Sequence, residues 1–400
     1  MNKDLSIRHI VLIFSLYITQ ILGFAYFTEA FVAILRRNGV TLENLGLVYM
    51  LGLFWVIRFL WAPVIDRFSI KKLGHYRGWI IIFQSLMVLL LILSSGYSLI
   101  DNIPTVVFFA VLLAFFSASQ DVALGALVLK TVSMKSRPTA NALKSAGGMI
   151  GTILGSGVGL VLYTHLGWKC TMLIMAVVTA ISLVQILFYT EPEKEEDGKQ
   201  EKIDYKQYID FWKGKEKKYW FLFLVIYPIT ISVAFGLVTP MLVDLRWTLD
   251  KIGLYVHIIG FGLGVIASFG ASKLIGMFGK KRILIVAASG QFIGILLLLF
   301  LAFGFDNTSL AMFVIGFIFV FNSPSQVVMT TLMMNNASHK TPAAQISVQH
   351  GVYMFSGILF SGLSVSLAGV FGYLTIIVSA SFIGIIAILA SIKIKLEEKK

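Results

Sequence analysis

Long apolar runs separated by short polar breaks extend along the whole chain. Each run holds about 20 or more mostly apolar residues, the length that a helix needs to cross a bilayer. The runs are continuous rather than alternating, and this pattern predicts helices instead of the strands of a membrane barrel. The twelve predicted spans cover about residues 10–34, 45–65, 79–99, 105–128, 145–164, 170–190, 219–241, 253–275, 283–304, 309–333, 346–366 and 373–394.

The positions of lysine and arginine predict how these spans are oriented, because cytoplasmic segments carry an excess of both residues. If the N-terminus is cytoplasmic, the inside segments hold 27 of the 33 basic residues. The outside segments hold five, namely Arg36, Arg37, Lys169, Arg246 and Lys251. Both termini are therefore predicted to be cytoplasmic. The first run is longer than the core of a signal peptide and is expected to remain as a span.

Composition supports the same class of protein. The chain is 58% hydrophobic and 13% charged, whereas soluble domains average about 45–50% apolar and about 25% charged residues. The net charge of +13 is explained by topology, so no nucleic-acid partner is expected. Cys170 is the only cysteine, which excludes an internal disulfide, a Cys-rich zinc site and an iron–sulfur cluster. No metal and no cofactor are expected.

The longest polar break divides the spans six and six. Residues 191–218 mix lysine with acidic residues and contain few apolar ones, a composition that cannot build a core. We interpret the segment as a solvated cytoplasmic linker, with a regulatory or partner-binding segment as the alternative. The predicted domains are a bundle at 1–190, this linker, and a second bundle at 219–400.

Short sequences recur in the two halves at nearly one offset. "SASQDV" (117–122) in span 4 matches "SPSQVV" (323–328) in span 10. "APVIDRFSIKK" (62–72) after span 2 corresponds to "SKLIGMFGKKR" (272–282) after span 8. These matches indicate a duplicated six-helix unit. Parallel repeats with a binding site at their interface are typical of secondary transporters.

The loop after span 2 carries a family signature. It contains Asp66 and Arg67, followed by Lys71 and Lys72. Together with the six-plus-six layout, this resembles the major facilitator superfamily, whose pattern in this loop is G-x-x-x-D-R-x-G-R-R. The resemblance implies an all-α membrane protein with twelve transmembrane helices in two pseudo-symmetric six-helix bundles.

Three further stretches narrow the resemblance. "RFLWAPVIDR" (58–67), "RGW" (77–79) and "ASQDVAL" (118–124) are similar to the branch that holds the anhydromuropeptide permease and the siderophore importers of the rhizobactin and pyochelin type. This implies a proton-coupled symporter in the bacterial cytoplasmic (inner) membrane that imports a bulky polar solute. A ferric siderophore, and hence iron uptake, is the first hypothesis. The alternatives are a muropeptide or peptide permease and an exporter of small molecules.

The resemblance also implies how the protein works and what it contacts. It is expected to act as a monomer, with a small-molecule substrate and membrane lipid as partners, and to be no enzyme, with no catalytic residue. Asp66 is expected at the cytoplasmic end of span 2 and, by family analogy, beside the start of span 11, where a helix N-terminus stabilises a carboxylate. Because this contact exists only while the two halves touch on the inside, it would favour the outward-open state. Lys71 and Lys72 are expected to contact anionic lipid. The alternative is that the loop, including Arg67, is only a topology signal.

Charged residues inside spans are functional candidates because burying them in lipid is costly. Arg58 in span 2 and Asp121 in span 4 have opposite charges at comparable depth, so we predict an ion pair. The alternatives are that Arg58 extends to the lipid headgroups or contacts a bound substrate. Glu29 in span 1 has no cation at its depth and is the candidate for proton coupling. A carboxylate facing water in the outer vestibule is the alternative.

Uncharged polar residues complete the candidate set. By family analogy spans 1, 4, 7 and 10 line the cavity, which makes their polar residues candidate substrate contacts; hydrogen bonding between helices is the alternative. The cavity candidates on these spans are Gln20, Ser119, Gln120, Asn322, Ser325 and Gln326. His257, an ionisable residue in the outer part of span 8, is a further candidate; a packing histidine is the alternative. In span 5 the spacing Gly151-x-x-x-Gly155 predicts close helix packing.

Overall fold

The structure is a computed structural model that describes residues 6–70, 73–133, 136–191, 211–213, 215–337 and 342–394. Within these residues the chain is almost entirely helical and forms no β-strand. In this described part of the chain, ten helices are long and apolar enough to cross a membrane. They are α1 (Ile7–Arg37), α2 (Leu42–Leu60), α3 (Tyr76–Ser95), α4 (Ile103–Thr131), α5 (Thr139–Leu187), α6 (Glu216–Asp244), α7 (Leu249–Phe278), α8 (Lys280–Ala302), α9 (Thr308–Asn336) and α10 (Gln345–Lys393).

Two of these helices, α5 and α10, are each long enough for two spans. Each has 49 residues, or about 73 Å of helix, whereas the hydrocarbon core is about 30 Å thick. Each is interrupted by a glycine with positive φ: Gly167 (φ 75°, ψ 178°) and Gly372 (φ 77°, ψ 157°). Glycine adopts this conformation without steric cost. The all-α prediction is confirmed and the ten helices are compatible with twelve spans; the cytoplasmic termini stay a prediction.

The chain forms two compact units. Unit 1 consists of the described residues within Met1–Ile34, Leu51–Asp197 and Thr248–Ile258. Unit 2 consists of those within Leu35–Met50, Gly198–Trp247 and Ile259–Lys400. Each unit thus includes a short segment from the other half of the sequence. The predicted domain boundaries stay a prediction, since most of the predicted linker, residues 192–210 and 214, lies outside the described residues.

In unit 1, glycines let two helices touch along their backbones. A Cβ at Gly151 of α5 would lie 2.4 Å from the carbonyl oxygen of Ile18 in α1. A Cβ at Gly155 would lie 2.1 Å from the carbonyl oxygen of Leu22. No side chain fits at either position, so small residues fix the α1–α5 contact. The predicted packing role of this glycine spacing is confirmed.

In unit 2, the end of α1 is tied to α6 and α10 by charge. The Arg36 guanidinium donates to both carboxylate oxygens of Asp244, at 2.6 and 2.8 Å. The Tyr373 hydroxyl donates to the same carboxylate at 2.7 Å. Nearby, Ser366 donates to the carbonyl oxygen of Glu43 at 2.8 Å. These bonds hold the segment Leu35–Met50 within unit 2.

Candidate substrate site

A buried carboxylate in unit 1 is the centre of the candidate site. Asp121 of α4 is only 3% exposed and forms an ion pair with Arg58. It also accepts hydrogen bonds from the Lys144 ammonium at 3.0 Å and from the Gln20 side-chain amide at 2.9 Å. A carboxylate this deeply buried requires such partners, because an unpaired buried charge is strongly unfavourable. The predicted Arg58–Asp121 pair is present.

Four helices of unit 1 supply these groups, and aromatic rings hold the two cations. Gln20 lies on α1, Arg58 near the end of α2 and Lys144 near the start of α5. The Arg58 guanidinium lies 5.2 Å from the centre of the Trp55 ring, and the Lys144 ammonium lies 5.5 Å from that of Tyr17. Cations are attracted to aromatic faces at such distances, so both side chains are oriented toward Asp121.

The backbone at the end of α2 brings Arg58 to this point. Residues Arg58–Leu60 form one 3₁₀ turn, and a short helix, Ala62–Arg67, begins just after it. Pro63 lies in the first turn of that helix, where its missing N–H removes no hydrogen bond. Arg58 therefore occupies the break between two helical segments rather than the middle of a regular span.

A cavity of about 620 Å³ opens beside this cluster, within the range of small-molecule sites. The Arg58 and Lys144 side chains are 32% and 42% exposed, whereas that of Asp121 is 3% exposed. The cations are thus accessible while the carboxylate is buried. The lining residues are Arg58, Asp66, His75, Tyr76, Asp121, Val122, Gly125, Ala126, Leu129, Lys130 and Lys144.

A second ion pair lies at the edge of the same cavity. Lys130 pairs with Glu191 at 2.8 Å, and the other carboxylate oxygen of Glu191 accepts from the backbone N–H of Arg77 at 2.9 Å. The Arg77 guanidinium donates to the carbonyl oxygens of Ile186 and Leu187 at 3.1 and 2.7 Å. These contacts fasten the ends of α3, α4 and α5 together.

Glu29 lies apart from this cavity, in a π-helical segment of α1, Tyr26–Ala30. Its side chain is partly buried, and no hydrogen bond or ion pair joins it to another described residue. Single π-helical turns occur frequently at functional sites. Glu29 thus stays the candidate for proton coupling.

The gating-loop candidates are only partly described. Asp66 lines the cavity and accepts a hydrogen bond from the Tyr76 hydroxyl at 3.2 Å. The Arg67 guanidinium lies 6.0 Å from the centre of the Phe68 ring. Lys71 and Lys72 lie outside the described residues. The contact between Asp66 and the start of span 11 stays a prediction.

Both serine candidates form side-chain hydrogen bonds with another segment of the same unit. Ser119 accepts from the Trp61 indole N–H at 3.0 Å, and Ser325 donates to the Tyr227 hydroxyl at 3.1 Å. Both serines are fully buried. Bonding between helices was the alternative interpretation of these residues, and these two bonds agree with it.

The remaining candidates differ in exposure. Gln120 and His257 are buried, Asn322 is partly buried and Gln326 is exposed. The side-chain amide of Gln120 has no hydrogen-bond partner among the described residues. Gln20 is the uncharged candidate that donates a hydrogen bond to Asp121. Substrate contact by the others stays a prediction.

Sequence reasoning missed Lys144. The apolar run of span 5 begins at residue 145, so Lys144 was assigned to the preceding loop. In the structure the helical conformation already begins at Arg137, two residues before the bounds given above for α5 and eight residues before the apolar run. Because its first two turns are mostly polar, the apolar run does not mark the start of the helix. Lys144 is therefore a helical residue, 23 positions after Asp121. No clustering signal in the sequence links the two.

Comparison with known proteins shows the family. The model of the Major Facilitator Superfamily matches residues 6–365. "Putative transporter AmpG 3" of Rickettsia typhi is 27% identical over 247 residues, covering 56% of this chain and 59% of that protein. The anhydromuropeptide permease of Escherichia coli K12 is 27% identical over 159 residues, covering 39% of this chain and 32% of that one. The chain thus matches about three fifths, or less, of the length of these relatives.

Solved structures share the fold at low identity. A D-xylose–proton symporter superposes with a TM-score of 0.75 at 12% identity, covering 98% of this chain and 99% of that one. The nucleoside transporter NupG superposes with a TM-score of 0.71 at 13% identity, covering 96% of this chain and 100% of that one. The matched family and these structures are transporters, not enzymes. With a family model that covers nine tenths of its length and a matching fold, this chain belongs to the Major Facilitator Superfamily of multi-pass membrane transporters.

Proposed function

We propose that this protein is a secondary transporter that moves a bulky, carboxylate-bearing solute of the muropeptide or peptide class across the bacterial cytoplasmic membrane by alternating access. The observation that carries this proposal is the pair of accessible cations, Arg58 and Lys144, on one buried carboxylate beside a cavity of about 620 Å³. A muropeptide is an amino sugar that bears a short peptide, and its carboxylates suit such cations.

The names of the relatives change the ranking of the candidate substrates. From sequence alone a ferric siderophore was the first hypothesis and a muropeptide the alternative. The relatives described above are named for AmpG-type transport and for anhydromuropeptide permeation. These names support the muropeptide class, and we place it first.

We further propose import driven by the proton gradient, with Glu29 as the coupling residue. Its carboxylate lies in a span, partly buried, and no ion pair with a described residue holds it charged. Such a group can bind and release a proton during the transport cycle without first breaking a salt bridge. Action as a monomer stays a prediction.

The test is uptake of a radiolabelled anhydromuropeptide by cells that lack this gene and then regain it. We expect the gene to restore uptake, and a protonophore to abolish it. Iron-55-loaded siderophores, supplied to the same cells, provide the comparison. Uptake of a siderophore without uptake of the muropeptide would overturn the proposed substrate class, and accumulation only in inverted vesicles would overturn import.

A further inference from the structure

Lys144 is the cation of the Asp121 cluster that is most easily released. Its ammonium is a point charge on a flexible stem, whereas the guanidinium of Arg58 is a rigid, planar group. Lys144 is also the more exposed of the two, at 42% against 32%. If Lys144 turned away, Asp121 would keep its ion pair with Arg58 and its hydrogen bond from Gln20.

The other charged groups of the cavity already have partners. Lys130 pairs with Glu191, whose side chain is 3% exposed. Asp66 accepts from the Tyr76 hydroxyl. At Asp121, by contrast, two positive charges share a single negative charge. The cluster therefore has room for one further anion, and Lys144 is the group that would meet it.

We propose that Lys144 is the specificity-determining residue of this cavity, and that Asp121 competes with a solute carboxylate for its ammonium group. An organic carboxylate that enters the cavity takes Lys144 from Asp121 and binds it, with Arg58 at its side. The chain thereby selects solutes with a free carboxylate over those whose carboxyl group is blocked. This inference rests on the proposed function for the identity of the solute. The preference for a free carboxylate rests on the charges of the Asp121 cluster.

The test measures binding to the purified full-length chain in nanodiscs of phosphatidylcholine by calorimetry. The probes are an anhydromuropeptide and a plain tripeptide, each as the free acid and as the carboxamide. We expect the wild-type protein to bind the free acid at least about tenfold more tightly, as one charge-assisted hydrogen bond provides. Lys144→Gln should reduce the preference to within about twofold, and Lys144→Arg should retain most of it.

Two further variants separate this role from loss of folding. Asp121→Asn removes the internal competitor and should tighten binding of the free acid, a gain that a misfolded protein cannot show. Lys169→Gln removes an equal charge at an exposed position outside the cavity and should leave the preference unchanged. An unchanged preference in Lys144→Gln, or weaker binding in Asp121→Asn, would overturn the inference.

The probes also separate this inference from the proposed substrate class. Binding of the muropeptide with equal affinity for acid and amide would overturn the inference and leave the substrate class standing. Tighter binding of the tripeptide acid than of its carboxamide, with no binding of the muropeptide, would overturn the substrate class and leave the inference standing. No binding of any probe would overturn both. Competition by phosphatidylglycerol added to the nanodiscs would assign the cations to a lipid headgroup and overturn the inference.

Discussion

Asp121 and Arg58 depend on each other because neither charge is favourable alone at this depth. Removing one member of a buried pair typically costs about 3–5 kcal/mol, since the other charge is left without compensation. Here Lys144 and Gln20 remain on Asp121 after Arg58 is removed. We therefore expect Arg58→Gln to abolish uptake but to lower thermal stability by less than the loss of an isolated buried ion pair would.

The measurement is the unfolding temperature in detergent, beside the double variant Arg58→Gln/Asp121→Asn. With the carboxylate neutralised, the double variant should unfold at a higher temperature than Arg58→Gln alone. Equal or lower stability of the double variant would show that the ion pair does not set the cost.

Replacing Glu29 is expected to affect the coupling of transport to the proton gradient rather than the stability of the protein. Glu29→Gln keeps the size of the side chain but cannot exchange a proton, so we expect gradient-driven accumulation to be lost while exchange of labelled for unlabelled solute continues. Uptake with and without a proton gradient, in proteoliposomes, measures both. Asp101→Asn, at an exposed turn, is the control and should behave as the wild type. Normal accumulation in Glu29→Gln would exclude Glu29 as the coupling residue.

On the scale of the helices, the α1–α5 contact decides whether the cluster can assemble, because α1 carries Gln20 and α5 carries Lys144. A Cβ at Gly155 would meet the Leu22 carbonyl oxygen at 2.1 Å, and a backbone atom cannot move aside as a flexible side chain can. Gly155→Ala should destabilise the protein by about 1–3 kcal/mol, as overpacking does.

The matched control is Gly148→Ala on the same helix, where a Cβ would have no neighbour within 4 Å. This variant should be neutral or slightly stabilising, because alanine favours a helix over glycine. Unfolding temperature and the yield of monodisperse protein measure both variants. Equal stability of the two would contradict the close α1–α5 contact.

For the whole molecule, the loop after α2 is predicted to act as a gate during transport. We predict that Asp66→Asn slows uptake and shifts the protein toward the inward-open state. In the predicted contact with the start of span 11, a neutral side chain interacts less favourably with the helix N-terminus than a carboxylate does, so the outward-open state loses stability. Accessibility of single cysteines in a background without Cys170 measures the shift.

Tyr76→Phe is the control for this prediction. It removes the hydrogen bond to Asp66 but keeps the negative charge, so it should leave the accessibility pattern near that of the wild type. The same shift in both variants would assign the effect to the local hydrogen bond. No shift in Asp66→Asn would reduce the loop to a topology signal.

The sequence by itself determined the membrane class, the all-helical fold and the family. Length and hydropathy decide whether a helix can cross a bilayer, and both can be counted along the chain. The Arg58–Asp121 pair could be predicted for the same reason: position along a span gives depth, and two opposite charges at one depth are natural partners.

Only the tertiary structure decided which residues complete the site. Position along a span does not give the direction in which a side chain points, and with 3.6 residues per turn an error of one or two positions turns it to another face. Lys144 was missed because its helix begins before the apolar run, and the Arg36–Asp244 pair because its members are 208 positions apart. Such partners depend on how helices pack, which no local pattern records.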